Sequence, residues 1–122
     1  MSTPTNQQAY AKLKELVEAI DVRDSQALQQ EFGISNAVAD EIYESIDEYF
    51  DKGTKLSIAP EETAFDSRGQ QRPFIDAYET NDKALGLECV LFANGAPGEA
   101  ILHIEVSESD GQLSVYYKYV GS

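Results

Sequence analysis

The pattern of apolar residues changes near Gly53, from a helical repeat before it to alternation after it. Apolar residues three and four positions apart form the buried face of a helix, whereas alternation is typical of a strand with one buried face. The first part of the chain predicts three helices, over residues 5–22, 25–32 and 35–52. Ser35 is a candidate N-cap for the third helix, and Gly33 and Gly53 are placed to end the second and the third.

The second part of the chain predicts strands separated by turn residues. Their predicted ranges are 55–59, 73–79, 85–93, 100–107 and 112–120. Residues 60–71 are rich in turn-forming types and predict a loop. Asp110-Gly111 marks a hairpin turn, and Asn94-Gly95 marks another, which Pro97 and Gly98 predict to be longer than two residues.

Alternation along the last three predicted strands divides their side chains between two faces of a meander. The face predicted to meet the helices carries Leu85, Leu87, Cys89, Leu91, Leu102, Ile104, Val106, Leu113, Val115, Tyr117 and Tyr119. The opposite face carries Glu88, Phe92, His103, Glu105, Ser114, Tyr116 and Lys118. We therefore predict an α+β fold, with two to three N-terminal helices packed on one face of a curled antiparallel sheet of four to five strands.

The length and the charge of the chain narrow the class of protein. Its 122 residues fit a single domain, 1–122, with a helical layer over residues 5–52 and a sheet layer over residues 55–120. The chain has 22 acidic and 9 basic residues, a net charge of −13. Such a surface repels nucleic acid and anionic membranes, so we expect neither as a partner. It attracts a basic protein, which is the partner we expect.

The N-terminal residues lack the apolar segment of a signal peptide, and no apolar run approaches the roughly 20 residues of a membrane span. A cytoplasmic location is the expectation. The sequence contains no Gly-rich phosphate loop, no cysteine pair and no zinc-protease motif. His103 lies in a predicted strand, where it is either a half-exposed residue of the sheet surface or a member of a catalytic dyad with Glu105. Cys89 is predicted to lie in the core. We expect no catalytic residues, no metal and no cofactor, and hence no enzyme.

The third predicted helix carries a concentration of acidic residues. Six of the twelve residues from 40 to 51 are acidic and none is basic. We name as the acidic ridge Asp40, Glu44, Asp47, Glu48 and Asp51, with Tyr43 beside them. Like charges four residues apart cost a few tenths of a kcal/mol per pair, so a helix selected for stability alone would include basic residues. The ridge is either a solvated outer face or a docking surface for a basic protein.

A second candidate surface lies on the predicted outer face of the sheet. Phe92, Tyr116 and Val90 would place apolar and aromatic side chains next to acidic ones, as protein-binding surfaces often do. The same side chains could instead be covered by the loop over residues 60–71. Both interpretations stay open.

Residues 70–120 resemble the C-terminal sheet of small bacterial immunity proteins, which are encoded beside contact-dependent or polymorphic growth-inhibition toxins. The resemblance rests on the segments 72–79, 85–92 and 100–106 and on Asp110-Gly111. It implies a protein that binds and blocks one cognate toxin, often a basic nuclease. Members share no catalytic residues, and their binding residues differ from pair to pair. The leading hypothesis is therefore an immunity-type inhibitor whose acidic ridge covers the toxin's active site or substrate groove.

The order of helices followed by strands is also similar to the cone fold of nuclear transport factor 2-like and ketosteroid-isomerase-like proteins. That resemblance implies an enzyme or small-ligand binder with a polar residue inside an apolar cone, for which Asp76 is the candidate. A third hypothesis is an adaptor that binds a peptide along the edge of its sheet. The sequence does not indicate an oligomeric state.

Overall fold

Helices precede a curled antiparallel sheet in the computed structural model, which describes residues 3–67, Gly69 and 71–122. The helices are α1 (Asn6–Asp21), α2 (Ser25–Phe32), α3 (Asn36–Tyr49) and the short α4 (Glu61–Ala64). The strands are β1 (Leu56–Ser57), β2 (Ile75–Glu79), β3 (Leu85–Ala93), β4 (Ala96–Ser109) and β5 (Gln112–Gly121). The predicted α+β class is confirmed.

Local capping explains why the first three helices begin where the sequence predicts. The Thr5 hydroxyl accepts from the backbone N–H of Gln8, and the Gln8 side chain accepts from the backbone N–H of Thr5, at 3.1 and 2.9 Å. Asp24 and Ser35 accept in the same way at the starts of α2 and α3. These bonds satisfy backbone donors that the first turn of a helix leaves without partners.

The predicted end of α3 is wrong by one turn. The helix stops at Tyr49, and Phe50 is extended, with φ −136° and ψ 148°. The Phe50 side chain packs against the core and lies over Gly98 of β4, so tertiary packing ends the helix before Gly53. Asp51 consequently lies beyond α3 and does not continue the helical spacing of the other acids.

The central strand of the sheet is β3. It pairs with β4 along one edge, and along its other edge with β2 and, near its C-terminal end, with β1. β5 pairs with β4 and lies at the end of the sheet order. All these pairs are antiparallel, so the predicted meander of the last three strands is confirmed.

Two predictions about connections are wrong. Asn94 and Gly95 form a two-residue turn with φ of 52° and 85°, and Ala93 pairs directly with Ala96. Positive φ at both positions is the geometry that an Asn-Gly hairpin favours. Pro97 still pairs with Phe92, and the bulge in β4 follows it, at residues 98–100 opposite Leu91. The segment 60–71 is not only loop, because it contains α4 and contacts α1 through the rings of Phe65 and Tyr10, whose centroids lie 6.3 Å apart.

One hydrophobic core joins the helices and the sheet. The seven side chains of β3 and β4 predicted to face the helices are buried: Leu85, Leu87, Cys89, Leu91, Leu102, Ile104 and Val106. Leu113, Val115 and Tyr117 of β5 are partly buried against the same core. Burial raises the pKa of the Cys89 thiol, as expected for a core cysteine.

Tyr119 is on the opposite face from the one predicted. The β4–β5 register shifts by one residue, so that Ile104 pairs with Tyr117 but His103 pairs with Tyr119. Lys118 is the extra residue of this bulge. An extra residue reverses the alternation beyond it, which turns Tyr119 to the outer face and Val120 toward the core.

The contact between Phe50 and Gly98 gives a prediction about stability. A Cβ at position 98 would lie 2.8 Å from a Phe50 ring carbon and 2.9 Å from the backbone oxygen of Leu91. We expect Gly98→Ala to lower the free energy of unfolding by about 1–3 kcal/mol, because the backbone contact cannot relax by a rotamer change. Urea unfolding measures this loss. Ala96→Ser, at an exposed position of the same strand, is the matched control, and an equal loss in both variants would contradict the packing argument.

Candidate functional site

The acidic ridge lies mainly on the outer face of α3. Asp40, Glu44, Asp47 and Glu48 are exposed, and the buried side of the helix carries Ala39, Ile42 and Ile46. Residues four positions apart on a helix are spaced by about 6 Å along its axis. Asp51 is exposed too, but it follows the end of the helix. The ridge thus consists of a row of four acids on α3 and one acid beyond its C-terminal end.

Arg23 reaches this face from the turn between α1 and α2. Its guanidinium pairs with the Asp47 carboxylate and lies over the ring of Tyr43, 5.1 Å from the ring centroid. The Tyr43 hydroxyl is 2.9 Å from the Ser25 hydroxyl, so the tyrosine is held from two sides. Sequence reasoning missed this basic residue because it lies far from α3 along the chain.

The other three acids of the α3 row differ from Asp47. Asp40, Glu44 and Glu48 form no ion pair with any residue that the structure describes. Among the described residues, no basic side chain therefore pairs with and neutralises these three carboxylates. Tyr43 is half-buried, and it supports Arg23 more than it presents a free ring to a partner.

A polar pocket of about 250 Å³ lies at the C-terminal end of the ridge. Its residues include Asp47 and Asp51, together with Asp21 and Lys55, whose side chains pair at 2.7 Å. The other Asp21 oxygen accepts from the backbone N–H of Leu56, also at 2.7 Å. The hydrogen bond from Lys55 to Asp21 raises the pKa of the lysine. These contacts anchor β1 to α1, which is a structural use of the charges in this pocket.

The outer face of the sheet differs from the acidic ridge, because its acidic residues are paired with basic ones. Arg72 binds both Asp76 and Glu88, and Lys118 binds Glu105 at 3.3 Å. Asp76 is therefore on the outer face of the sheet. The prediction that it is the polar residue inside an apolar cone is wrong.

His103 lies in the same face, beneath Tyr119. The two rings are stacked, with centroids 4.1 Å apart and planes inclined by 14°. Burial lowers the pKa of His103, against the opposing effect of Glu88. The neutral imidazole is thus favoured, and its surroundings are those of a packed surface residue.

The aromatic patch predicted on the outer face is only partly present. Phe92 is half-buried and packs edge-on against Phe74, with ring centroids 5.1 Å apart. Among the described residues, the exposed tyrosine rings are those of Tyr116, Tyr119 and Tyr78, at 69%, 52% and 39%.

One edge of β5 pairs with no strand that the structure describes. The sequence raised such an edge only as part of a third hypothesis. Two pockets, of about 260 and 390 Å³, lie between this strand and the connection from α2 to α3. Alternation alone could not reveal them, because they depend on where Phe32 and Ile34 pack relative to β5.

Within the described ranges, no charged or polar residue is buried, and no group of three or more His, Cys, Asp or Glu side chains is placed to hold a metal ion. No helix in the same ranges is long and apolar enough to cross a membrane. The chain matches no protein-family model, no curated protein and no solved structure. The resemblances to immunity proteins and to cone folds therefore stay predictions.

The stack on His103 predicts a pH effect with a defined sign. The folded-state pKa lies below the ordinary 6.5, so the unfolded chain binds the proton more readily, and His103 lowers the stability as the pH falls through 6.5. We expect the titration midpoint of this single histidine to rise toward 6.5 in Tyr119→Ala, because the ring no longer covers the imidazole. An NMR titration of the imidazole carbons measures the midpoint.

Tyr116→Ala is the matched control for this titration. Tyr116 lies on the same face of β5 but pairs with Glu105, not with His103. We expect its removal to leave the midpoint unchanged. An equal shift in both variants, or none in Tyr119→Ala, would rule out the stacked ring as the cause.

Proposed function

We propose that this chain is an immunity-type inhibitor, which binds a basic cognate toxin and covers its active site or substrate groove. The supporting observation is the row of exposed carboxylates of Asp40, Glu44 and Glu48, which no described basic residue neutralises. A nuclease is the toxin class that suits this row best, because its groove is built to bind phosphate charges. The inhibitor would place carboxylates where the nucleic acid places phosphates.

Electrostatics supports this proposal through the rate of association. A net charge of −13 attracts a basic protein over a distance, and a local row of like charges orients it. Charge pairs that lose water at the interface also add to affinity, whereas pairs that stay solvated act mainly on the association rate. The ridge would therefore raise the rate of association and make binding selective for a basic groove.

The residues of the ridge would have unequal roles. Asp40, Glu44 and Glu48 would pair directly with lysines or arginines of the toxin. Asp47 is already paired with Arg23, so it would contribute less, and Asp51 would act from the end of the row. This ranking differs from the sequence prediction, which treated the five acids as one helical stripe.

The remaining parts of the proposal follow from this role. An inhibitor of this kind needs no catalytic residue, metal or cofactor of its own. It would act in the cytoplasm, where a nuclease toxin meets its nucleic-acid substrate.

Charge reversal of the ridge tests the proposed function. The triple variant Asp40→Lys, Glu44→Lys, Glu48→Lys is titrated against the product of the gene adjacent to the one that encodes this chain. We expect the affinity at low salt to fall by about 100-fold or more, since repulsion replaces attraction at three positions. We also expect the remaining binding to depend less on salt concentration.

A second triple variant controls for the change in net charge. Asp66→Lys, Asp82→Lys and Glu99→Lys alter exposed acids outside α3 and change the net charge by the same amount. This variant should keep most of the affinity. If both variants weaken binding equally, the ridge has no special role, and if the neighbouring product does not bind the original chain, the proposed function is wrong.

A further inference from the structure

The last strand of the sheet has a free edge. Of the strands that the structure describes, only β4 pairs with β5. Alternate backbone N–H and C=O groups of an edge strand point away from its neighbour and can pair with another strand. The bulge at Lys118 interrupts the regular ladder, so residues 112–117 form the part of the edge with an unbroken register.

The sequence of this part of the edge carries none of the residues that usually protect an edge strand from pairing. Edge strands are commonly guarded by a charged side chain, a proline or a bulge. Residues 112–117 contain neither a charged residue nor a proline, although a quarter of the whole chain is charged. Their composition of Leu, Val and Tyr favours strand pairing. An unguarded edge in so acidic a chain suggests that something covers it.

A groove beside the edge offers space for side chains. One wall is formed by Leu113, Val115 and Tyr117, which are only partly buried. The other wall comes from the end of α2 and the connection to α3, with Phe32, Ile34 and Val38 lining the pocket of about 260 Å³. An added strand points alternate side chains to one face, and apolar ones would enter this groove.

The charges around the groove favour a basic occupant. Glu31 lines the larger pocket of about 390 Å³, and Glu41 on α3 lies near Tyr117. A second copy of this chain would bring Glu31, Glu41 and a further net charge of −13 against their equivalents. Like charges placed opposite each other oppose association, whereas lysine or arginine beside the apolar positions would complement the rim.

We propose that residues 112–117 of β5 accept an extended segment of the basic partner as an additional strand, with its alternate apolar side chains in the groove against Phe32, Ile34 and Val115. The segment carries lysine or arginine at the intervening or flanking positions. This inference rests on the proposed function, since it takes the same basic protein as the partner. It adds a second contact, through the backbone, to the electrostatic one at the acidic ridge.

A synthetic peptide of alternating valine and lysine is the probe for this site. Its binding is followed by the fluorescence anisotropy of an attached dye, and hydrogen exchange is measured on the whole protein. We expect exchange to slow at alternate amides of residues 112–117. A peptide with the same side chains but N-methylated backbone amides carries the same charge and cannot complete the ladder, so it should bind about tenfold more weakly or worse.

Two lysine variants separate the groove from simple charge attraction. Val115→Lys places a cation in the groove, and Ser107→Lys places the same cation on the exposed outer face of β4, away from the residues that line the groove. We expect Val115→Lys to weaken peptide binding about tenfold and Ser107→Lys to have little effect. Circular dichroism checks that both variants are folded. If Val115→Lys does not fold, the comparison of the two peptides on the original chain still tests the proposal.

The outcomes distinguish this inference from the proposed function. If the ridge variant loses the toxin but the peptide fails to bind, or binds equally with N-methylated amides, strand addition is wrong and the proposed function stands. If the peptide protects residues 112–117 but the neighbouring product does not bind the original chain, the proposed function fails alone. If sedimentation shows a dimer of this chain that Val115→Lys abolishes, the occupant is a second copy and the inference is overturned.

Discussion

The pairing of β3 with β4 is the interaction on which the rest of the structure depends. Among the strands that the structure describes, β1 and β2 pair only with β3, and β5 pairs only with β4. The register of this pair also decides which side chains face the helices, and Leu87, Leu102 and Ile104 have no exposed surface. Because side chains alternate along a strand, a slip of either strand by one residue would turn the buried side chains of that strand outward. The apolar face of this pair is what holds the helices in place.

The packing of α3 on the sheet explains why the acidic ridge is exposed, but it does not explain why the ridge is made of acidic residues. α3 packs its apolar side, with Ile42 and Ile46, against β4 and β5, so its polar side must face solvent, since burying an unpaired carboxylate is costly. Folding alone would be satisfied by a mixture of acids and bases on that side. A row of acids lowers the stability of the helix slightly. That small cost favours a role in binding over a role in folding.

Local signals in the sequence were sufficient for part of this structure and not for the rest. Helix starts follow from caps such as Thr5 and Ser35, and turns follow from Asn-Gly and Asp-Gly pairs, because both act over a few residues. The end of α3, the side of Tyr119 and the partner of Asp47 depend on contacts between distant segments. Phe50 packs over Gly98, the bulge at Lys118 reverses the alternation of side chains in β5, and Arg23 pairs with Asp47 from the turn between α1 and α2. No pattern of neighbouring residues in the sequence predicts these contacts.

The two candidate surfaces are neighbours because α3 lies against β5. A partner strand added at residues 112–117 would bring the surface around it next to the acids of α3, so one basic protein could meet both. The bulge at Lys118 would then have a function of its own, since it ends the regular edge and sets the length of the added strand. Backbone pairing is indifferent to side chains and gives little selectivity. The groove and the ridge would supply that selectivity, the groove through apolar shape and the ridge through charge.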